Sequence, residues 1–381
     1  MKIKAIRVNI ISAPLEEPFM FAQGWVNKRS SVIVEVEGID GTIGYGECLC
    51  HGQQPPQIAA AIIENSFIDD VIGRNSFDVE VIWESLYNKT RPFGQYGSVL
   101  NALSGLDIAL WDLNGKELNQ PISNLLGGRF RDKIEAYATG FYRVRDGEYP
   151  QDLVNEAVKY KKDGFKGMKL KAGFGLDKDI ELVRRVREAI GFDTKLMVDF
   201  NAAYNQAEAR RIIFELEKEK VNFFEEPLPP EDIKGYKAIR NLSSSYIAAG
   251  ENLFGKIAIK TWLENEALDI YQPDLCSAGG FTEMKKMTAI AQSYNTQIIP
   301  HVWGSGIGLA ASLQYVANIA PTPIKKYPTE MILEFDQSSH PFRLALINDG
   351  IEFSEGYIKV PTKPGIGVDV NPSIIEKYKI N

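Results

Sequence analysis

Three acids, Asp199, Glu225 and Glu251, follow one another at intervals of 26 residues. Each closes a short apolar run: KLMVDFN, NFFEEP and YIAAGEN. A charge at the end of a buried strand is costly unless it is paired or binds a metal. Three such carboxylates at one repeated interval predict three consecutive strand ends converging on one cation.

The rhythm around them fits that reading. Between residues 134 and 336, short apolar runs alternate with amphipathic segments. The runs are IEAYATG, GMKLKAG, KLMVDFN, NFFEEP, YIAAGEN, DIYQPD, TQIIPHV and MILEFD; DLVNEAVKYKKD, DIELVRRVREAI and AEARRIIFELEKE are among the helical segments between them. Repeated strand–helix units of this kind predict a (β/α)8-type barrel in an α/β protein, with functional groups at the carboxyl ends of the strands. The spacing before MILEFD is long, so the eighth strand breaks the rhythm. Residues 1 to 50 read instead as strands (KIKAIRVNII, SSVIVEVEG, GTIGYGECL), and residues 55 to 120 as helices. The expected division is an α+β domain over 1–125, the barrel over 126–350, and a segment 351–381 that packs back on the first domain.

A chain of 381 residues with 44% apolar content has enough material for two such cores. Its net charge of −7, without a basic stripe, argues against nucleic acid. No run is long enough to span a membrane, and the opening MKIKAIRVNIISAP is too interrupted by charge for a signal peptide. Cys48, Cys50 and Cys276 are too few for a disulfide framework, and the first two read as reduced and structural. A cytoplasmic location is the expectation.

Hard oxygen ligands at strand ends suit Mg²⁺, and no Cys/His cluster competes for zinc. On the preceding strand, Lys169 and Lys171 point the same way. Two ammonium groups sharing a site disfavour each other's charge, so Lys171 is a candidate neutral base. His301 ends the seventh run and Asp274 the sixth, so the carboxylate can orient the imidazole as an acid or base. Glu334 closes the eighth run; kept protonated, it could donate to a developing oxyanion. Asn201, on the same side as Asp199, is a candidate substrate contact. Glu226 faces away from its neighbour Glu225 and is expected to lie near lysines.

With Lys169-x-Lys171, Asp199-x-Asn201, Glu225-Glu226-Pro227, Gly250-Glu251-Asn252, Asp274, His301 and Glu334 in place, the chain resembles the mandelate racemase subgroup of the enolase superfamily over nearly its full length. GLDIALWDLNGK (105–116) and PISNLLGG (121–128) resemble that family's lead-in to the barrel. QPDLCSAGGFTEMKK (272–286), PHVWGSGIG (300–308) and LEFDQSSHPFR (333–343) are most similar to its galactarolactone cycloisomerase branch. The resemblance implies that Asp199, Glu225 and Glu251 hold Mg²⁺. It implies that Lys171 and His301 form the acid–base pair, that Asp274 orients His301, that Lys169 contacts the substrate carboxylate, and that Glu334 donates to the enediolate. The first domain would cap the mouth through loops 18–28, with Phe19, Phe21 and Trp25, and 48–54, with His51. The substrate would be an acid sugar or its lactone, dehydrated or ring-opened, and the enzyme a homo-oligomer between dimer and octamer. Racemisation of a 2-hydroxy acid on the same site, and a non-catalytic metal-binding barrel, are the alternatives.

Overall fold

In the computed structural model, which describes every residue except Asp349 and Asn381, the chain opens with a long antiparallel hairpin. Strand β1 (Ile3–Phe21) pairs with β2 (Gly24–Gly38), and β2 with β3 (Ile43–Cys48). Residues 18–28, expected as a loop, are the tip of this hairpin: Phe19, Met20 and Phe21 pair with Val26, Trp25 and Gly24. Phe19 explains the difference. Its ring is buried against Tyr142, 4.4 Å between centroids, which gives the tip an apolar face that a free loop lacks. Helices Val79–Thr90 and Ser98–Glu117 pack on this unit, as the helical period predicts. The long helix approaches β3 closely. A Cβ on Gly46 would lie 2.0 Å from the Gly105 carbonyl oxygen, so glycine is required for the two backbones to meet.

Eight parallel strands follow: β4 (Lys133–Thr139), β5 (Gly167–Lys171), β6 (Lys195–Asp199), β7 (Phe223–Glu225), β8 (Tyr246–Ala249), β9 (Ile270–Tyr271), β10 (Gln297–Ile298) and β11 (Ile332–Asp336). Each of the eight apolar runs coincides with one of them to within a few residues. Pairing runs from β11 to β4 and then in sequence order to β10. Amphipathic helices connect the strands. Leu176–Ile190 buries Ile180, Val183 and Val186 toward the sheet, and Gln206–Leu216 begins in a capping box made by Asn205 and Glu208. Tyr137, Met197, Phe223, Ala248, Ile270, Ile299 and Ile332 form a separate buried cluster, drawn from seven of the eight runs. The barrel is therefore a packed core, with its chemistry confined to the mouth at the strands' carboxyl ends.

The eighth strand departs from the repeat. Among the described residues, no helix follows β11 before the tail. The chain returns as an antiparallel pair, β12 (Phe353–Ser354) and β13 (Tyr357–Lys359), and β13 adds to the edge of β4. The helix Pro372–Tyr378 then leads back to β1, where Ile380 N donates to the Ile10 carbonyl. The tail, expected on the first unit alone, packs on both. Among the described residues, no helix is long and apolar enough to cross a membrane.

Candidate active site

Asp199 and Glu225 are the last residues of β6 and β7 and stand opposite each other in the parallel ladder. Glu251 lies two residues past β8 and arrives by a turn at Gly250. There φ is +153°, and a Cβ would sit 2.5 Å from Gln272 N, so only glycine lets the chain fold back over the mouth. One carboxylate oxygen from each acid lies within 4.8 Å of the others, and all three side chains are buried. Glu251 Oε2 has no hydrogen-bond donor. Burial pushes the Glu225 carboxyl up to about 7, and the charges of Asp199, Glu334 and Glu251 add to that against the pull of Lys169. Convergent hard oxygens with lone pairs to spare and mutual repulsion to relieve fit a divalent cation.

Lys169 and Lys171 project into the same mouth from β5. Lys169 Nζ donates to both Glu225 oxygens at 2.7 and 2.9 Å and lies 3.0 Å from Glu334 Oε1. Lys171 Nζ donates to Asp199 Oδ2 at 2.5 Å. This geometry favours a charged Lys171, where the neighbouring ammonium alone predicts a neutral one. Burial does favour the uncharged amine, but Asp199, Tyr142 and Glu251 together hold it protonated, above the ordinary lysine value. The facing carboxylates outweigh the neighbouring ammonium.

His301 and Asp274 meet as expected: Nδ1 and Oδ2 are 2.7 Å apart, and Asp274 is itself fixed by the Cys276 N–H. On its other edge, Nε2 lies 3.3 Å from Glu251 Oε2. Burial lowers the imidazole's proton affinity, but Glu251, Glu334 and Asp274 raise it to about 10. Glu334 lies mid-strand in β11, not at its end. It accepts from Thr139 Oγ1 at 2.7 Å and from Val302 N at 2.9 Å. Burial raises its carboxyl, but Lys169, His301 and Lys171 pull it down to about 2. The surrounding cations and donors thus favour its ionised form, where the sequence predicts a protonated donor. Lys171 and His301 line one cavity, together with Glu251, Asn201 and His51.

This arrangement can be set beside known proteins. Residues 5–127 match the mandelate racemase / muconate lactonizing enzyme N-terminal domain, and residues 152–374 match the enolase C-terminal domain-like family. The chain belongs to the mandelate racemase / muconate lactonizing enzyme family. It is an enolase-superfamily enzyme with relatives along its whole length. It is 38% identical to a D-galactarolactone cycloisomerase of Agrobacterium fabrum, covering 100% of this chain and 99% of that one. It is 32% identical to an arabinonate dehydratase of Saccharolobus solfataricus, covering 91% and 90%. The solved 3,6-anhydro-D-galactonate cycloisomerase from Zobellia galactanivorans superposes with a TM-score of 0.90 at 35% identity, covering 100% of both chains.

In this family member the cap contributes to the mouth, but not wholly as the sequence suggests. His51 lies over the centre, its ring 5.8 Å from that of His301 and 6.4 Å from that of Trp303. Phe21 also lines the cavity. Trp25 does not: its ring sits under the Arg145 guanidinium, 5.3 Å away, on the far side of the hairpin tip. Among the described residues, Glu226, expected near lysines, forms no ion pair with one. It is buried at a positive φ of 40°, accepts from Asn252 Nδ2 at 2.9 Å, and burial together with Glu251 and Asp199 raises its carboxyl well above the ordinary value.

Sequence reasoning missed Tyr142, Trp303 and Gln272. Tyr142 and Trp303 line the cavity, and the Trp303 indole N–H donates to the Tyr142 hydroxyl at 2.9 Å. Nothing in the local sequence marks either. Gln272 donates to Glu225 Oε2 at 2.7 Å. Its position two residues before Asp274 was a usable signal.

The cap is fastened by buried acids of its own. Glu47, at the end of β3, accepts from Ser31 Oγ, Ser305 N, Ser305 Oγ and Gly308 N, at the start of helix Gly306–Asn318. Asp107 accepts from the Thr282 N–H and hydroxyl at the start of helix Gly280–Ser293. Asp112 accepts from Tyr45 N, Ile366 N and Lys116 Nζ.

Proposed function

We propose that this enzyme removes the α-proton of a sugar-derived carboxylic acid and expels the β-oxygen of an internal ring, as a cycloisomerase. The observation that carries the reading is one cavity faced by Lys171, by the His301–Asp274 pair and by three convergent carboxylates. Likeness over the full chain to two cycloisomerases supports ring opening. Asp199, Glu225 and Glu251 would hold Mg²⁺, which when bound supplies positive charge to the enediolate. Lys169 holds the substrate carboxylate. Lys171 and His301 are the proton-transfer pair, and Lys171 can accept a proton only when Asp199 is engaged elsewhere. Asp274 fixes the His301 ring. Glu334 anchors Lys169 and the His301 loop. In the reaction the α-C–H breaks to a base, the β-C–O bond breaks toward oxygen, and that oxygen takes a proton. The enol becomes a 2-keto-3-deoxy acid with no atom lost. In this reading, residues 1–125 form the cap, 126–350 the barrel and 351–381 the tail.

The arabinonate dehydratase relative favours a second reading, in which the departing oxygen is a free hydroxyl and leaves as water. Incubating acid sugars, their lactones and their anhydro forms in D₂O with Mg²⁺ tests both. The expected result is a 2-keto-3-deoxy product carrying deuterium at C3. Racemised starting acid without any deoxy product would replace elimination by the racemase alternative. Unchanged turnover in both Lys171→Ala and His301→Asn would remove the assigned pair.

A further inference from the structure

We propose that the Tyr142 hydroxyl donates a hydrogen bond to the departing ring oxygen of the substrate, and that the Trp303 indole aims it. The inference rests on the proposed function, since it takes ring opening to be the reaction. Tyr142 lies just past β4 and lines the cavity beside Lys171 and His301. The Lys171 amine is 5.8 Å from the centre of the Tyr142 ring. On the other side stands Trp303, two residues past His301, whose indole N–H donates to the Tyr142 hydroxyl at 2.9 Å. The phenol is thus tied to the elements that carry both proton-transfer groups. A substrate whose α-carbon lies between those groups brings its β-oxygen, one carbon away, to this hydroxyl.

An indole N–H only donates, so the Tyr142 oxygen accepts from it and the phenol's own hydrogen points elsewhere. Among the described residues, none accepts that hydrogen. The ring is held firmly. Phe19 packs on it at 4.4 Å between centroids. Trp303 is itself clamped by Arg29 of the cap, whose guanidinium lies 3.4 Å from the centre of the indole ring and donates to the Trp303 carbonyl at 2.8 Å. A fixed donor with no acceptor in the protein is preorganised for a ligand oxygen. The same cavity holds a spare acceptor, Asn201 Oδ1, which a substrate hydroxyl can satisfy. A ring oxygen carries lone pairs and no hydrogen, so it needs a donor. Burial holds the Tyr142 phenol protonated, above its ordinary value, against the pull of Lys171. It therefore donates and keeps its hydrogen. As the β-C–O bond breaks, the electron pair moves to the ring oxygen and the bond from Tyr142 strengthens. The proton that oxygen finally takes comes from the Lys171–His301 pair.

The test uses the different oxygens that two rings expel. A 3,6-anhydrohexonate expels an alkoxide, whereas an aldarolactone expels a carboxylate, a far weaker base that needs a donor less. Tyr142→Phe keeps the ring against Phe19 and removes only the hydroxyl. At saturating Mg²⁺ it should lower kcat for the anhydrohexonate by ~10²-fold, as loss of an oxyanion donor does. For the lactone the loss should be about fivefold, the worth of an ordinary hydrogen bond. A side chain that merely shapes the pocket would lower both alike. Trp303→Phe removes the aiming N–H and should cost the anhydrohexonate about tenfold, with the same bias. If the wild type opens the ether alone, α-deuterium exchange into recovered acid in D₂O takes the lactone's place, and it should persist in Tyr142→Phe while opening falls. Equal losses on both rings, exchange lost together with opening, or a wild type that opens only the lactone would overturn the inference and leave the proposed function standing. An unbiased loss in Trp303→Phe would overturn the part given to Trp303. A wild type that opens neither ring would overturn both the inference and the proposed ring opening.

Discussion

Two sets of buried acids lie within one protein, and they are treated in opposite ways. At the seam between cap and barrel, the oxygens of Glu47, Asp107 and Asp112 are met by backbone and hydroxyl donors, many at helix N-termini. At the mouth, Asp199, Glu225 and Glu251 face one another within 4.8 Å, and Glu251 keeps an oxygen with no hydrogen-bond donor. Burial alone therefore does not mark function, since both sets are buried. The mark is convergence: three acids held within reach of one another, one of them with an oxygen that no donor reaches. A folded chain that already saturates its seam acids retains the mouth acids against electrostatic cost, which a bound cation would relieve.

The contrast breaks most visibly if mouth residues prove to be structural. Lys171→Ala and His301→Asn should each lower kcat by ~10²–10⁴-fold, the range for a lost acid or base, with thermal unfolding little changed. Full turnover with a lowered Tm would put them in the seam's class. Glu251→Gln should lower kcat by ~10²–10³-fold. It should also abolish the rise in Tm that Mg²⁺ gives the wild type, a rise expected because only the folded state gathers the three acids. A Mg²⁺ shift that survives this substitution would remove Glu251 from the set. Glu47→Ala is the converse experiment. It strands the Ser305 and Gly308 N–H groups and should cost ~3 kcal/mol of stability, since each buried unpaired donor costs about 1–3 kcal/mol. Its effect on kcat at a temperature where the variant is folded should be the smaller one.

The same contrast separates what the sequence could reveal from what it could not. Apolar runs carried the eight strands, because a strand buried on both faces is apolar whatever surrounds it. The 26-residue interval carried the trio, because successive strand ends of a barrel are neighbours. Protonation was not legible. The charges of Lys171 and Glu334 each depend on partners distant in the chain: Asp199 for one, Lys169 and His301 for the other. The hairpin tip was misread because Phe19 finds its partner Tyr142 on another unit. The seam was hidden in plain sight. Asp107 and Asp112 lie in GLDIALWDLNGK, a stretch whose local pattern shows only a helix, and their partners Thr282, Tyr45 and Ile366 come from both sides of the interface.

The smallest expected effect is also the most discriminating, because it asks both sets of acids one question about pH. Burial pushes the Asp107 carboxyl up to about 7, against the lowering by its Thr282 hydrogen bonds, from an unfolded value of 3.8. Between those values the folded chain binds a proton that the unfolded chain does not. Stability should therefore rise as pH falls from about 7 to about 4, and fall again as pH rises through that window. Glu225, also raised to about 7, contributes with the same sign. His301, raised to about 10, contributes above its unfolded value of 6.5, mostly outside this range. Saturating Mg²⁺ should engage Glu225 and suppress its share while leaving Asp107 untouched. In Mg²⁺-loaded protein, Asp107→Asn should then flatten the remaining slope by at most roughly 1.4 kcal/mol per pH unit. If the slope is the same in both proteins, the seam carboxylate behaves as an ordinary surface acid. If Mg²⁺ leaves the wild-type slope unchanged in size, the mouth acids do not share a cation.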